Sequence, residues 1–203
     1  MSYTKDRNLA LFDFDNTITV KDTLFDFHIF TFGLYKTCLA LLSSFPYVIR
    51  SQISMINSQQ SKEIFLRFFW EKAEYDFFKR SCLKYTEEHL NSIIREKATR
   101  KIKYHRDHGD YIVVVTASIQ EWVEPWCYAN GVDHVIASKA EKINGFLTGH
   151  LKGKNCKGIE KVSRINKELD LASFRKVYAY GDSNGDKAML ALADEQYYRW
   201  RRI

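Results

Sequence analysis

The chain has 203 residues, a net charge of +6, 45% apolar and 28% charged side chains, and only two prolines and nine glycines. That composition excludes a disordered chain and long irregular linkers, and it allows one α/β domain with an insertion or two small domains. Lysines and arginines are spread along the chain apart from Arg199, Arg201 and Arg202 at its end, which reads as mild attraction for anionic substrates or surfaces and not as a nucleic-acid footprint.

The first predicted element is a buried strand over residues 8–14. Asp13 and Asp15 stand where it runs out, on one side of the pleat by strand alternation. Residues 20–94 then read as helix after helix, with one face formed by Leu24, Phe25, Phe27, His28 and Phe32 and an aromatic one by Phe65, Leu66, Phe68, Phe69 and Trp70. Ile29 to Ile49 approaches the length of a membrane span, but Lys36, several Thr and Ser, and Pro46 interrupt it. A buried helix or helix pair is expected there, with a surface touching lipid or a greasy substrate as the alternative.

After residue 94 the pattern is βαβ. A helix is predicted over 93–108, a strand over Tyr111–Val115, a helix over 119–130 and a strand over His134–Ser138. A hairpin follows, turning at Asn144-Gly145. Next come a helix over 157–169, a strand over Lys176–Tyr180, a helix over 187–193 and an edge strand over Tyr197–Trp200. Strands alternating with helices predict a doubly wound, mostly parallel α/β sheet. No internal repeat or low-complexity tract is present. Cys38, Cys82, Cys127 and Cys156 lack CxxC spacing and zinc-register histidines, and the first residues carry no apolar signal region. A reduced, cytoplasmic chain is therefore expected.

Four features fall at the carboxyl ends of predicted strands, where open α/β sheets gather their ligands. Asp13 and Asp15 repel unless they share a proton or a cation, which suits Mg²⁺ beside a nucleophile better than a core. In phosphoryl transfer Asp13 would attack phosphorus, and Asp15 would protonate the leaving oxygen and later deprotonate water. A turn-capping pair is the plainer account. Val115-Thr116-Ala117-Ser118 offers hydroxyls and backbone N–H groups to a phosphate, although Thr and Ser are also ordinary helix caps. Lys157 and Lys161, four apart and so on one helix face, can each supply counter-charge. The segment Gly181-Asp182-Ser183-Asn184-Gly185-Asp186 supplies Asp182 as a hard-oxygen ligand, with Asp186 binding through water or orienting a lysine. A turn is the alternative reading.

The order DxDxT, hydroxyl, lysine, GDxxxD resembles the haloacid-dehalogenase-like (HAD) superfamily over most of the chain. The insertion after the first motif and the stretch GFLTGHLKGKNCKGIEKV resemble its phosphoserine-phosphatase-like branch. The resemblance implies a Rossmann-like core (1–19 and 95–203) with a helical cap (20–94), and Mg²⁺ on Asp13, the Asp15 carbonyl and Asp182. It also implies phosphate on Thr116 and Ala117, and a substrate-reading acid at Asp22. Asn16 departs from the usual Gly or Ser, and Gly185 from the usual Asn. Lys157 and Lys161 both remain candidates for the active-site lysine.

The expected activity is a Mg²⁺-dependent phosphatase acting through an aspartyl-phosphate. Its expected partner is a small-molecule phosphate ester, lipid-linked or otherwise bulky, or phosphoserine-like. No nucleic acid and no membrane span are expected, while the cap could touch a membrane from one side. A phosphotransferase with the same intermediate, or an anion-binding protein using Arg199–Arg202, are the alternatives.

Overall fold

A computed structural model of the chain describes residues 7–42 and 58–203. Six strands form the main sheet: β1 (Leu9–Phe12), β2 (Tyr111–Ile119), β3 (His134–Ser138), β6 (Val177–Gly181), β7 (Glu195–Tyr198) and β8 (Arg201–Arg202). Their spatial order is β3-β2-β1-β6-β7-β8, parallel throughout except for the β7–β8 pair. β1 lies between β2 and β6, so the direction of winding reverses beside it. In an open α/β sheet that reversal places a crevice at the carboxyl ends of these strands.

β1 is buried on both faces, as its continuous apolar run requires in a parallel sheet. Ala10 and Phe12 join one core with Trp122, Val123 and Trp126 from α6 (Gln120–Ala129) and Ala98 and Ile102 from α5 (Glu96–Asp107). Leu9 and Leu11 join the other with Ile165 from α7 (Ile159–Glu168) and Met189 from α8 (Lys187–Leu190).

Every element described between β1 and α5 is helical: α1 (Thr23–Phe32), α2 (34–42), α3 (Ser58–Trp70), α4 (Tyr75–Glu88) and a 3₁₀ turn over Leu90–Ile93. The two ends of this segment lie side by side. Val20 N–H donates to Ile93 O (2.8 Å), Arg95 N–H donates to Ile18 O (2.8 Å), and Thr19 bridges Ile94. That pairing consumes the backbone groups a helix would need, so α5 starts at Glu96 and not at residue 93.

Phe27 ties the helical segment to the core, stacking between Trp70 (5.9 Å) and Trp122 (4.7 Å). His28 is buried in the same cluster. The Trp70 indole N–H donates to His28 Nε2 (2.8 Å). Nδ1 must therefore carry the proton and donate to Leu24 O (2.6 Å). Burial pushes this imidazole down to about 3, with the Leu24 hydrogen bond opposing.

β4 (Ala140–Ile143) and β5 (Phe146–Leu151) form a separate hairpin. It turns through Asn144 (φ 50°) and Gly145 (φ 85°), both left-handed as a two-residue turn of this kind demands. It docks against the helical segment through Lys72 N–H to Leu147 O (2.9 Å) and Leu147 N–H to Ala73 O (2.8 Å).

Other expected bounds also shift. β1 ends at Phe12, so strand alternation does not carry through to Asp15. β2 runs on to Ile119, with its register against β3 shifting between Thr116 and Ile119. The last helix stops at Leu190, and the expected edge strand is a hairpin with Arg199 and Trp200 in its turn, both at positive φ. In the stretch Ile29–Ile49, Gly33 (φ 84°) ends α1 and a second helix begins at once; residues 43–49 lie outside the described residues. The described part of that second helix is not the buried one expected, since Leu34 and Leu42 are exposed. Among the described residues no helix is long and apolar enough to cross a membrane.

Candidate active site

The parallel pairing of β1 with β2 and β6 brings Asp13, Thr116 and Asp182 together at the carboxyl end of the sheet. Asp13 follows β1 directly and its N–H donates to Tyr180 O (2.9 Å). Asp182 follows β6. A carboxylate oxygen from each of Asp13, Asp182 and Asp186 lies within 4.8 Å of the others.

Lys161 stands between two of these acids. It is 2% exposed, and Nζ is 2.6 Å from both Asp13 Oδ1 and Asp186 Oδ1. It lies in the first turn of α7, on the face that buries Ile165 four residues later. Lys157 precedes that helix, is exposed, and lines a nearby cavity. Burial works against the Lys161 charge, but Asp13 and Asp186 outweigh it and hold the ammonium above its usual range.

Two buried carboxylates and one ammonium leave one negative charge uncompensated. Asp13 is the carboxyl that this disfavours as an anion: burial, resisted by Lys161 and reinforced by Asp186, pushes it up to about 7. Asp182 is also raised, by burial and then by Asp186. Asp186 is lowered: burial would raise it, but Lys161 and the Ser183 hydrogen bonds prevail. Its Oδ2 accepts from Ser183 Oγ (2.7 Å), Ser183 N–H (3.0 Å) and Asp182 N–H (3.3 Å). Hard oxygens with unmet negative charge are the donor set that suits Mg²⁺, so the residues fit such an ion. Gly181 has no side chain for a steric reason. A Cβ there would lie 2.5 Å from Asp186 Cβ.

The Asp15 carboxylate points elsewhere. Its Oδ1 accepts from Thr23 N–H (2.8 Å) and Thr23 Oγ1 (2.7 Å), and Ser118 Oγ donates to its Oδ2. Of the Asp15 atoms, the side chain is thus outside the three-acid cluster, and only its carbonyl was expected at a metal. Asn16 beside it adopts φ 59°, which asparagine tolerates in a turn.

Thr116 is buried, and its Oγ1 accepts from Ser118 N–H (3.0 Å), leaving its own proton to donate. Ser118 differs from expectation. Its N–H is taken by Thr116 and its hydroxyl by Asp15, so both donors are spent inside the protein.

Asp22 caps α1, accepting from Leu24 N–H (2.9 Å). Burial, then Asp15, pushes it up to about 6. Asp15, Asp22, Ala117 and Lys157 line one cavity of about 210 Å³, walled on its apolar side by Leu24, Phe25, Leu41 and Phe65. A larger cleft of about 430 Å³ runs past Tyr75, Lys79, Arg80 and Glu121 and touches none of these acids.

The sequence reading did not single out Thr23, Ser183 or Lys62. Lys62, on α3, also lines the cavity and donates to Ala117 O (2.5 Å). Burial pushes its ammonium down, while Asp15 and Asp22 favour the charge. No spacing flags it among the other helix lysines. Ser183 carried a weak signal, since Ser at i and Asp at i+3 is a capping box.

Residues 10–191 match the haloacid dehalogenase-like hydrolase family. The chain belongs to that family. "Protein CicA" of Caulobacter vibrioides is 32% identical over 198 residues, covering 94% of this chain and 85% of that protein. A histidinol-phosphatase of Neisseria meningitidis serogroup C is 26% identical over 204 residues, covering 93% of this chain and 88% of its own. A substrate-bound phosphoserine phosphatase structure superposes with a TM-score of 0.62 at 19% identity, covering 96% of this chain and 86% of that one. The fold is that of the phosphoserine-phosphatase-like branch.

Proposed function

We propose that this chain is a Mg²⁺-dependent phosphomonoesterase working through an aspartyl-phosphate on Asp13, with residues 20–94 as a helical cap over the site. The observation that carries the reading is Lys161 held between Asp13 and Asp186, with Asp182 alongside. Family membership supports it, as does a sequence relative that is a histidinol-phosphatase.

In the first step an Asp13 carboxylate oxygen attacks phosphorus and the bond to the leaving oxygen breaks. Asp15, protonated at that stage, gives its proton to the departing oxygen. In the second step water attacks the phosphorus, Asp15 takes the water proton, and the bond to Asp13 breaks to release inorganic phosphate. Thr23 and Ser118 hold Asp15 for both transfers. The Thr116 hydroxyl and the Ala117 N–H donate to phosphoryl oxygens, and Lys161 offsets the charge that gathers around Asp13.

Asp13 and Asp182, with the Asp15 carbonyl, would hold the Mg²⁺. Asp186 serves the same site by fixing Lys161, since both its oxygens already accept hydrogen bonds. When bound, the ion neutralises charge between an anionic nucleophile and an anionic ester. Asp22 and the cavity walls face the leaving group, which is either bulky and apolar or phosphoserine-like. The free thiols suit a reducing, cytoplasmic setting.

Phosphate release from p-nitrophenyl phosphate tests the reading. Turnover should require Mg²⁺ and disappear in Asp13→Asn. Wild-type rates in that variant, or in excess EDTA, would contradict it. Transfer to an added alcohol in place of water would identify a phosphotransferase using the same groups.

A further inference from the structure

α2 is amphipathic the wrong way round for a helix that packs on a core. Thr37 and Ala40 form its buried side, while Leu34, Tyr35, Cys38, Leu39, Leu41 and Leu42 are all exposed. At 100° per residue those six positions cover one continuous arc of the helix. Leu34 is 63%, Tyr35 77% and Leu42 67% exposed. Ile29 on α1 is exposed as well, at 39%. A contiguous patch of this kind marks a binding surface more often than an idle one.

What lies on this patch is indicated by where it leads. Leu41 and Phe25 are each 36% exposed and also wall the cavity that contains Asp15, Asp22 and Ala117. The patch and the candidate site are therefore one apolar track, polar at its inner end and greasy at its outer end. Basic groups flank it: Lys36 on α2 is exposed, and Lys157 lines the cavity and is exposed too. An amphiphile with an anionic head and an apolar tail matches that gradient, and so does the surface of a bilayer containing it.

We infer that the substrate is a phosphate monoester of an apolar, membrane-borne alcohol, taken up along the Leu41–Phe25 track while the exposed face of α2 rests on the lipid. This rests on the phosphomonoesterase reading and narrows it to one substrate class. The face lies against the bilayer and does not cross it.

The test pairs substrate chain length with membrane binding. Alkyl phosphates from butyl to dodecyl are assayed with Mg²⁺ beside phosphoserine and p-nitrophenyl phosphate. Co-sedimentation is measured with phosphatidylcholine vesicles containing phosphatidic acid. The wild type should gain about tenfold or more in kcat/KM along the alkyl series, as a few buried methylenes suffice for that, and should sediment with the vesicles. Leu34→Ser combined with Leu42→Ser, both exposed, should abolish sedimentation and keep the p-nitrophenyl phosphate rate. A flat alkyl series, phosphoserine as the preferred substrate, or unchanged sedimentation of the double variant would overturn the inference. A wild-type dimer in sedimentation velocity that the double variant dissolves would assign the face to a second copy instead. In each of those cases p-nitrophenyl phosphate turnover leaves the phosphatase reading standing, whereas its absence, with no ester hydrolysed, removes that reading itself.

Discussion

Lys161 and Asp13 meet across 148 residues of chain, Nζ to Oδ1 at 2.6 Å, with both groups buried. Both charges depend on each other in a poorly solvated place, so the pair is a stringent place to test the site. Removing the ammonium in Lys161→Met leaves Asp13 and Asp186 as facing buried carboxylates. A loss of roughly 3–5 kcal/mol is expected, because a buried charge loses its partner. Urea unfolding of the metal-free variant measures it, and a loss below about 1 kcal/mol would mean that the pair is solvated.

Thr23 gives the Asp15 carboxylate both a backbone and a side-chain donor. Thr23→Val keeps the shape and the N–H but removes the hydroxyl. If Asp15 transfers the proton as proposed, the expected result is a fall in kcat of roughly ten- to a hundredfold with little change in KM, since that group is loosened and not the binding site. Steady-state kinetics on p-nitrophenyl phosphate reads both constants. A rise in KM alone would place Thr23 in substrate binding.

Gly181 sits where a side chain would meet Asp186, a Cβ there coming within 2.5 Å of Asp186 Cβ. Gly181→Ala should push Asp186 away from Lys161, costing about 1–3 kcal/mol as overpacking does. The Mg²⁺ concentration for half-maximal activity should rise as well. Thermal unfolding and a Mg²⁺ titration check the two effects.

Much of this arrangement is legible in the residues themselves. The apolar runs of β1, β2 and β6 are short and lead into chemistry-bearing side chains, so those strands and the site read together. The choice between Lys157 and Lys161 had a signal too. Lys161 and Ile165 share a helix face, and a core isoleucine four residues on turns that lysine inward. Lys157 lies before Gly158, outside the helix. The clamps are different. Thr23 reaches Ser118 across 95 residues, and Lys62 reaches Ala117 across 55. Neither contact leaves a periodic or local trace, because both depend on how the helical segment lies over the sheet. The exposure of α2 is legible in the sequence only as the alternative reading, a surface touching lipid or a greasy substrate. The composition of α2 is that of a core helix, and only the fold shows the greasy side facing outward.

His28 makes stability depend on pH. The unfolded chain takes up its proton near 6.5, and the folded one only near 3. The unfolded state therefore binds more protons between those values, so stability is present above about pH 6.5 and falls as pH drops below it. Between about pH 7.5 and about pH 5.5 this group should cost on the order of 1 kcal/mol. His28→Gln, which can accept from Trp70 and donate to Leu24, should show a smaller drop over the same interval in denaturant unfolding. An unchanged drop would mean that other groups carry the acid sensitivity.

The central claim is that Asp13 carries the phosphoryl group. The most direct measurement is acid quenching during turnover with Mg²⁺, followed by peptide mass spectrometry. The account predicts the mass of one phosphoryl group on the peptide containing Asp13, lost on mild base treatment and missing from Asp13→Asn. Steady turnover with that peptide unmodified, or with the phosphoryl group on any other residue, would contradict it.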